Sequence, residues 1–224
     1  GSPEFVESFL YSVVVAVITI AAGIALCFPT AYWVNLKVPQ ARRIVEFITL
    51  LPFVVPAIIL VFGMIRIYSA PLKLPFTELV IFPSLTNSEL GTNVLLVAGY
   101  VVLALPYMYR AVDTGLRAMD VRALTEAAQS LGANWFTILA RVIFPNLRSA
   151  LLSGSLLTFA IVVGEVIFAS FLGRPAFGPY LWLLGQHRAY EPAALSFASF
   201  LLTWAAMGLI QLVSGEQGQV SGAH

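Results

Sequence analysis

Five stretches of this sequence are long and apolar enough to cross a lipid bilayer. That constrains the fold more than any other property of the chain. They cover residues 8–34, 44–68 (with an uncharged centre at 47–65), 90–109, 149–172 and 192–215. A spanning helix needs about 20 such residues. The first stretch has no charge at all, and the fourth is interrupted only by Glu165. Of the 224 residues, 59% are hydrophobic and 10% charged, with a mean hydropathy of +0.90. Soluble domains carry about 25% charged residues. A chain this poor in charge cannot cover a water-facing surface, so its solvent is mostly lipid. The expected fold is all-α, a polytopic helical membrane protein with about five spans. Apolar residues occur all round these segments, so periodicity does not separate lipid faces from packing faces.

The charges between the spans predict an orientation. Lys37, Arg42 and Arg43 follow the first span, and Arg110, Arg117, Arg122, Arg141 and Arg148 follow the third. Arg66, Lys73, Arg174 and Arg188 fall on the other side. Basic residues concentrate in cytoplasmic loops, so residues 35–46 and 113–147 are expected inside, and 69–89 and 173–191 outside. The net charge of +1 suggests no nucleic-acid partner. Residues 1–5, Gly-Ser-Pro-Glu-Phe, look like a cloning scar. Five spans in this orientation leave the N-terminus outside with no export signal. That awkwardness disappears if a first span of a six-span pattern is missing. The expected organisation is a transmembrane domain over 6–215 and a short tail over 216–224.

Within the inside stretch, residues 126–145 read EAAQSLGANWFTILARVIFP. Small Ala127 and Ala128 let a helix press closely on a partner. Gly132 can end that helix in a left-handed cap. Glu126 is expected in the first turn, where a carboxylate suits the helix dipole. A second helix is expected from about Asn134 to Phe144, with Pro145 limiting it. The segment resembles the EAA loop of permease subunits of bacterial ABC importers, E-A-A-x3-G-x9-I-x-L-P. Glu126, Ala127, Ala128, Gly132 and Pro145 match outright, while Val142 and Phe144 replace the Ile and Leu. The resemblance implies that a helix-turn-helix over about 113–148 docks on a cytoplasmic ATPase. It implies two ATPase subunits, a second permease subunit (identical or homologous), an extracytoplasmic solute-binding protein and residence in the bacterial cytoplasmic membrane. Stretches 105–120, LPYMYRAVDTGLRAMD, and 159–180, FAIVVGEVIFASFLGRPAFGPY, resemble the spermidine/putrescine-type branch. Related branches carry aminophosphonates, iron or thiamine.

Catalytic constellations are absent from the sequence: no H-E-x-x-H, C-x-x-C, G-x-S-x-G or G-x-x-x-x-G-K-[ST]. Without a P-loop the chain cannot bind ATP in that way. ATP and Mg²⁺ are therefore expected on the partner ATPase, and neither a cofactor nor a metal in this chain. His187 and His224 lack metal partners at useful spacing, and the single Cys27 reads as a small packing residue. Glu165 is the one charge well inside a span, about 24 Å from its inner end at 1.5 Å per residue. Intramembrane carboxylates usually face a bundle interior or a water-filled path. Glu165 could therefore line a path for a cationic or amine-bearing solute, or serve as a structural carboxylate held by hydroxyls or an arginine. Pro29, Pro52, Pro56 and Pro106 are candidate kinks, either hinges or static irregularities. Tyr68, Phe82, Phe177, Tyr180, Trp182 and Tyr190 suit an interfacial belt. The turn-rich stretch 173–192 could contact a solute-binding protein. An ion-coupled carrier remains an alternative, with Glu165 as its thin support.

Overall fold

The computed structural model describes residues 3–73, 80–82 and 84–187, together with isolated helical positions between 193 and 208. Two long helices form its frame, α1 (Pro3–Leu36) and α4 (Glu89–Arg117). At 1.5 Å per residue they are about 50 Å and 44 Å long, more than a hydrocarbon core of about 30 Å. They run parallel. Tyr11 on α1 donates to Asn93 on α4 (2.7 Å), and Asn35 donates to Asp113 (2.9 Å). α8 (Arg148–Gly164) packs against them in the opposite direction. A Cβ on Gly115 would meet Leu147 and Ala150, while one on Gly154 would meet Met108 and Ala111. The absence of side chains at these two positions lets α4 and α8 approach closely.

Two of the expected spans are not single helices. The stretch 44–68 divides into α2 (Arg42–Val54) and α3 (Ala57–Tyr68), preceded by a 3₁₀ turn at Pro39–Ala41. The two halves are bent by 99°. Val55 is extended with ψ 119°, as a residue before proline prefers, and Pro56 caps α3. Pro29, Pro52 and Pro106 lie inside continuous helices, so of the four candidate kinks only the one at Pro56 separates two elements. The stretch 149–172 stops at Gly164 and resumes as α9 (Ile167–Phe171). Among the described residues there are thus two continuous helices long and apolar enough to cross a membrane, and up to two more if each bent pair, Pro39–Val54 with Ala57–Tyr68 and Trp135–Asn146 with Arg148–Gly164, is one span. The fifth expected span, 192–215, lies largely outside the described residues.

The outer loops also differ from expectation. Residues 3–5 continue α1, and Phe5 packs edge-on against Phe177 and Tyr180. Phe177 is buried in this cluster with Phe9, so it belongs to the core rather than to an interfacial belt. Tyr68 and Trp182 are exposed. Tyr190 and the side chain of Phe82 lie outside the described residues. Among the described residues of 173–192, turn geometry is confined to the start, where Gly173 has φ 64°. From Phe177 the chain is helical (α10, Phe177–His187), because Pro179 falls in the first turn, where no amide donor is required. Among the described residues a small antiparallel pair, β1 (Leu72–Lys73) with β2 (Val80–Phe82), is the exception to helical structure.

The core divides into two clusters along α1 and α4. One, near the end that carries the 126–145 motif, includes Phe28, Tyr32, Met108, Val112, Leu116, Ile138, Ile143 and Leu151. The other includes Val15, Val61, Leu96, Tyr100 and Phe168. Cys27 is free and buried in the first cluster, as a packing residue would be.

Candidate coupling surface and the break at Glu165

The motif folds as a capped helical hairpin. Asp120 accepts from the amide of Ala123 (3.0 Å) and starts α5 (Val121–Ser130). The helix therefore begins earlier than the motif alone suggests, and Glu126 occupies its second turn rather than its first. Val121, Leu124, Thr125 and Ala128 point inward at helical spacing. Glu126 and Ala127 point outward, so the two adjacent alanines serve opposite faces.

Gly132 terminates α5 as expected. Its φ is 81°, its amide donates to Gln129 O (2.8 Å), and that of Ala133 donates to Ala128 O (3.0 Å). This pair of bonds is a Schellman cap, whose left-handed position favours glycine. Asn134 then caps the next helix by accepting from Thr137 (2.8 Å). That helix is α6 (Trp135–Thr137), a π-helical segment (Ile138–Ile143) and α7 (Phe144–Asn146). It does not stop before Pro145. The wider π turn pairs the Phe144 amide with Leu139 O, and the proline that follows starts the last turn, where its missing donor is tolerated. A 77° bend then leads into α8.

The tip of this hairpin exposes large apolar side chains. Leu131 is 89% exposed and Phe136 77%. Leu131 directly precedes Gly132 and Phe136 lies four residues beyond it; Glu126 and Ala127 are exposed as well. Leu131 and Phe136 were absent from the motif reading, although an apolar residue on each side of a turn glycine was visible in it.

Behind the tip, the hairpin is held to the helical frame. The Tyr32 hydroxyl lies 2.8 Å from Thr125 Oγ1, and the rings of Tyr32 and Trp33 both meet Trp135 edge-on. Beside it, Asp113 pairs with Arg42 and accepts from Asn35, while Arg42 also binds Glu46 (2.9 Å). This network joins the ends of α1, α2 and α4.

Glu165 lies at the opposite end of α8. Its backbone is extended (ψ 129°). One carboxylate oxygen accepts from the Ile167 amide (2.7 Å) and the other from the Phe168 amide (2.9 Å). The carboxylate thus satisfies the exposed donors that start α9. Backbone amides are its donors of ordinary geometry, and a hydroxyl, that of Tyr100, also interacts with it. The buried Tyr100 hydroxyl, without a hydrogen bond of ordinary geometry, is within electrostatic reach of it. A largely apolar cavity of about 400 Å³ adjoins the break, lined by Gly164, Val166, Gly178, Leu181, Trp182 and Phe200. The Glu165 carboxylate is not among its lining groups. Arg174 sits nearby, donating to Thr92 (3.2 Å) and pairing with Glu89 at 3.6 Å. Among the described residues no group of three His, Cys, Asp or Glu side chains could hold a metal ion.

The family described as "Binding-protein-dependent transport system inner membrane component" matches residues 23–215. The spermidine/putrescine transport system permease protein PotB of Haemophilus influenzae is 30% identical over 148 residues, 65% of this chain and 51% of that protein. A probable molybdenum ABC transporter permease protein of Haloferax volcanii is 32% identical over 154 residues, 69% of this chain and 54% of that protein. The chain spans about half the length of these curated relatives. A crystal structure of an amino acid ABC transporter with histidines aligns with a TM-score of 0.63 at 15% identity, covering 96% of this chain and 94% of that one. At that identity the likeness concerns the fold.

Proposed function

Because the chain belongs to the family of inner membrane components of binding-protein-dependent transport systems, we propose that it is the permease subunit of an ATP-driven importer. It is a multi-span inner-membrane protein of the ABC-permease fold. In this reading the helices form part of a solute path, and the hairpin formed by Val121–Ser130 and Trp135–Asn146 docks on a cytoplasmic ATPase. The observation that carries it is the exposed surface at the hairpin tip. Glu126, Ala127, Gly132, Leu131 and Phe136 are all exposed there, on a hairpin capped at Gly132 and Asn134. Two ATPases, a second permease subunit and an external solute-binding protein complete the assembly. ATP-driven closure would draw the two hairpins together and turn the path from inward-facing to outward-facing.

The proposed solute is a small cation such as a polyamine. Two observations support this: the carboxylate at the break in α8–α9 and the similarity to a spermidine/putrescine permease. Discontinuous helices often accompany substrate sites in transporters. A second reading, another solute on the same scaffold, is favoured by the comparable similarity to a probable molybdenum permease.

The test is retention of an ATPase by tagged chain, alongside uptake of radiolabelled spermidine. The wild-type chain should retain ATPase, and Gly132→Asp should lose both association and uptake while still inserting in the membrane. Association and transport unchanged by that substitution would remove the hairpin from the coupling role.

A further inference from the structure

We propose that Tyr32 is a positioning residue that makes α1 move as one body with the coupling hairpin. This rests on the reading of the hairpin as the ATPase-docking element. α4 and α8 are joined to the hairpin through the chain, since it lies between them. α1 has no such connection, being separated from the hairpin by α2, α3 and α4. Its engagement depends on side chains.

The hydroxyl pair has a definite direction. Thr125 Oγ1 lies 2.7 Å from Val121 O and donates its single proton there. The contact with Tyr32 at 2.8 Å therefore has Tyr32 as donor and Thr125 as acceptor. Both residues are buried, at 0% and 2% exposure. If α1 parted from the hairpin, the tyrosine hydroxyl would be stranded in an apolar core, surrounded by Phe28, Leu116, Val121 and Ile138. The aromatic contacts act in the same sense but on the second helix. Trp135, one residue after the Asn134 cap, receives the edges of Tyr32 and Trp33 at centroid distances of 4.9 and 5.6 Å. Tyr32 thus holds both arms of the hairpin, one by its hydroxyl and the other by its ring. Nearby on α1, Asn35 donates to Asp113 on α4, and Phe28 meets Phe144 on the second arm edge-on at 5.8 Å. Displacement of the hairpin tip should therefore carry α1 with it.

The asymmetry of the bond predicts an order among variants. Tyr32→Phe leaves Thr125 satisfied by Val121. Thr125→Val leaves a buried tyrosine donor without an acceptor and should be the more damaging. The double variant should be no worse than Thr125→Val alone, because both substitutions remove one bond. Thr125→Ser keeps the acceptor and should behave as wild type.

The experiment uses the complex with its co-purifying ATPase and a Cys27→Ala chain carrying spin labels at Leu26→Cys on α1 and Gln129→Cys on α5. Both labelled positions are exposed. The distance distribution is measured without nucleotide and after vanadate trapping with ATP. The expected result is one narrow distance, unchanged between the two states. In Tyr32→Phe the distribution should broaden or shift on trapping, while ATPase retention stays within about twofold of wild type, equivalent to under about 0.5 kcal/mol. A distance that shifts between states in the unsubstituted background overturns the proposal, as does a Tyr32→Phe variant indistinguishable from it. These readouts need no transported solute. Failure of wild-type chain to retain any ATPase would instead overturn the docking role of the hairpin, and this proposal with it.

Discussion

At Gly132 and Glu165 one residue's backbone geometry decides what a substitution does. Gly132 has φ 81° and open space where a Cβ would lie. Gly132→Ala should therefore cost only the left-handed backbone penalty, about 1–2 kcal/mol. Gly132→Asn should cost less, since asparagine tolerates that region. Thermal denaturation of the purified chain in detergent should rank them Gly, Asn, Ala. Glu165 separates charge from capping. Glu165→Ala removes the acceptor for two amides and should destabilise by about 1–2 kcal/mol. Glu165→Gln retains a side-chain oxygen and should hold stability closer to wild type. If the carboxylate serves a cationic solute, the Gln variant should still lose spermidine uptake. Uptake equal to wild type would leave Glu165 its capping role alone. The glycine turn was legible because a left-handed cap is a local requirement with few solutions. The capping role of Glu165 was not, because an apolar run reads as a continuous helix and a break appears only when the carboxylate turns onto amides two and three residues ahead.

Among the elements, the contact between α4 and α8 is set by what is missing from their surfaces. A Cβ at Gly115 would stand 2.6 Å from both Ala150 Cβ and Leu147 Cδ2. Ala150 Cβ is fixed to its backbone, so the helices themselves would have to part. Gly115→Ala should destabilise by about 1–3 kcal/mol, read as a lower melting temperature of the purified chain. Gly63 on α3 has nothing within 4 Å of its would-be Cβ. Gly63→Ala should be neutral or stabilising by up to about 1 kcal/mol. A similar loss at both sites would count against close packing as the cause. The partners of each span were not visible in sequence, because every span is apolar on all sides. The bend at Pro56 was foreseeable as one of four proline sites. Which proline would break a helix depended on Val55 adopting an extended backbone, a choice local composition does not dictate.

For the whole molecule, the two ends of the bundle carry different chemistry. The Asn35–Asp113–Arg42 network and the hairpin share one end, while Arg174, Thr92 and the Phe5–Phe177 cluster share the other. Loop charges foresaw this division of the loops, since charge bias acts on whole connections rather than on single contacts. In a Cys27→Ala background, cysteines at Ser84 and Ser130 should react with an impermeant maleimide from opposite sides. Labelling of both on intact cells would sink the proposed orientation. Among the described residues the apolar segments were legible; their division into broken spans required three-dimensional context.

The parallel arrangement of α1 and α4 has a consequence for biosynthesis. Neighbours that run the same way cannot be joined by a hairpin, so α1 must wait for its partner. Its inward face includes Tyr11 and Asn35, whose hydrogen-bond partners Asn93 and Asp113 lie on α4. α4 is complete roughly 80 residues after α1 ends, about 4–16 s at translation rates near 5–20 residues per second. During that interval α1 stands in the membrane, or in the insertion machinery, without the α4 partners of Tyr11 and Asn35. A nascent chain arrested between the two helices should therefore be the form most exposed to membrane quality control, and release of the arrest past residue 117 should end that exposure.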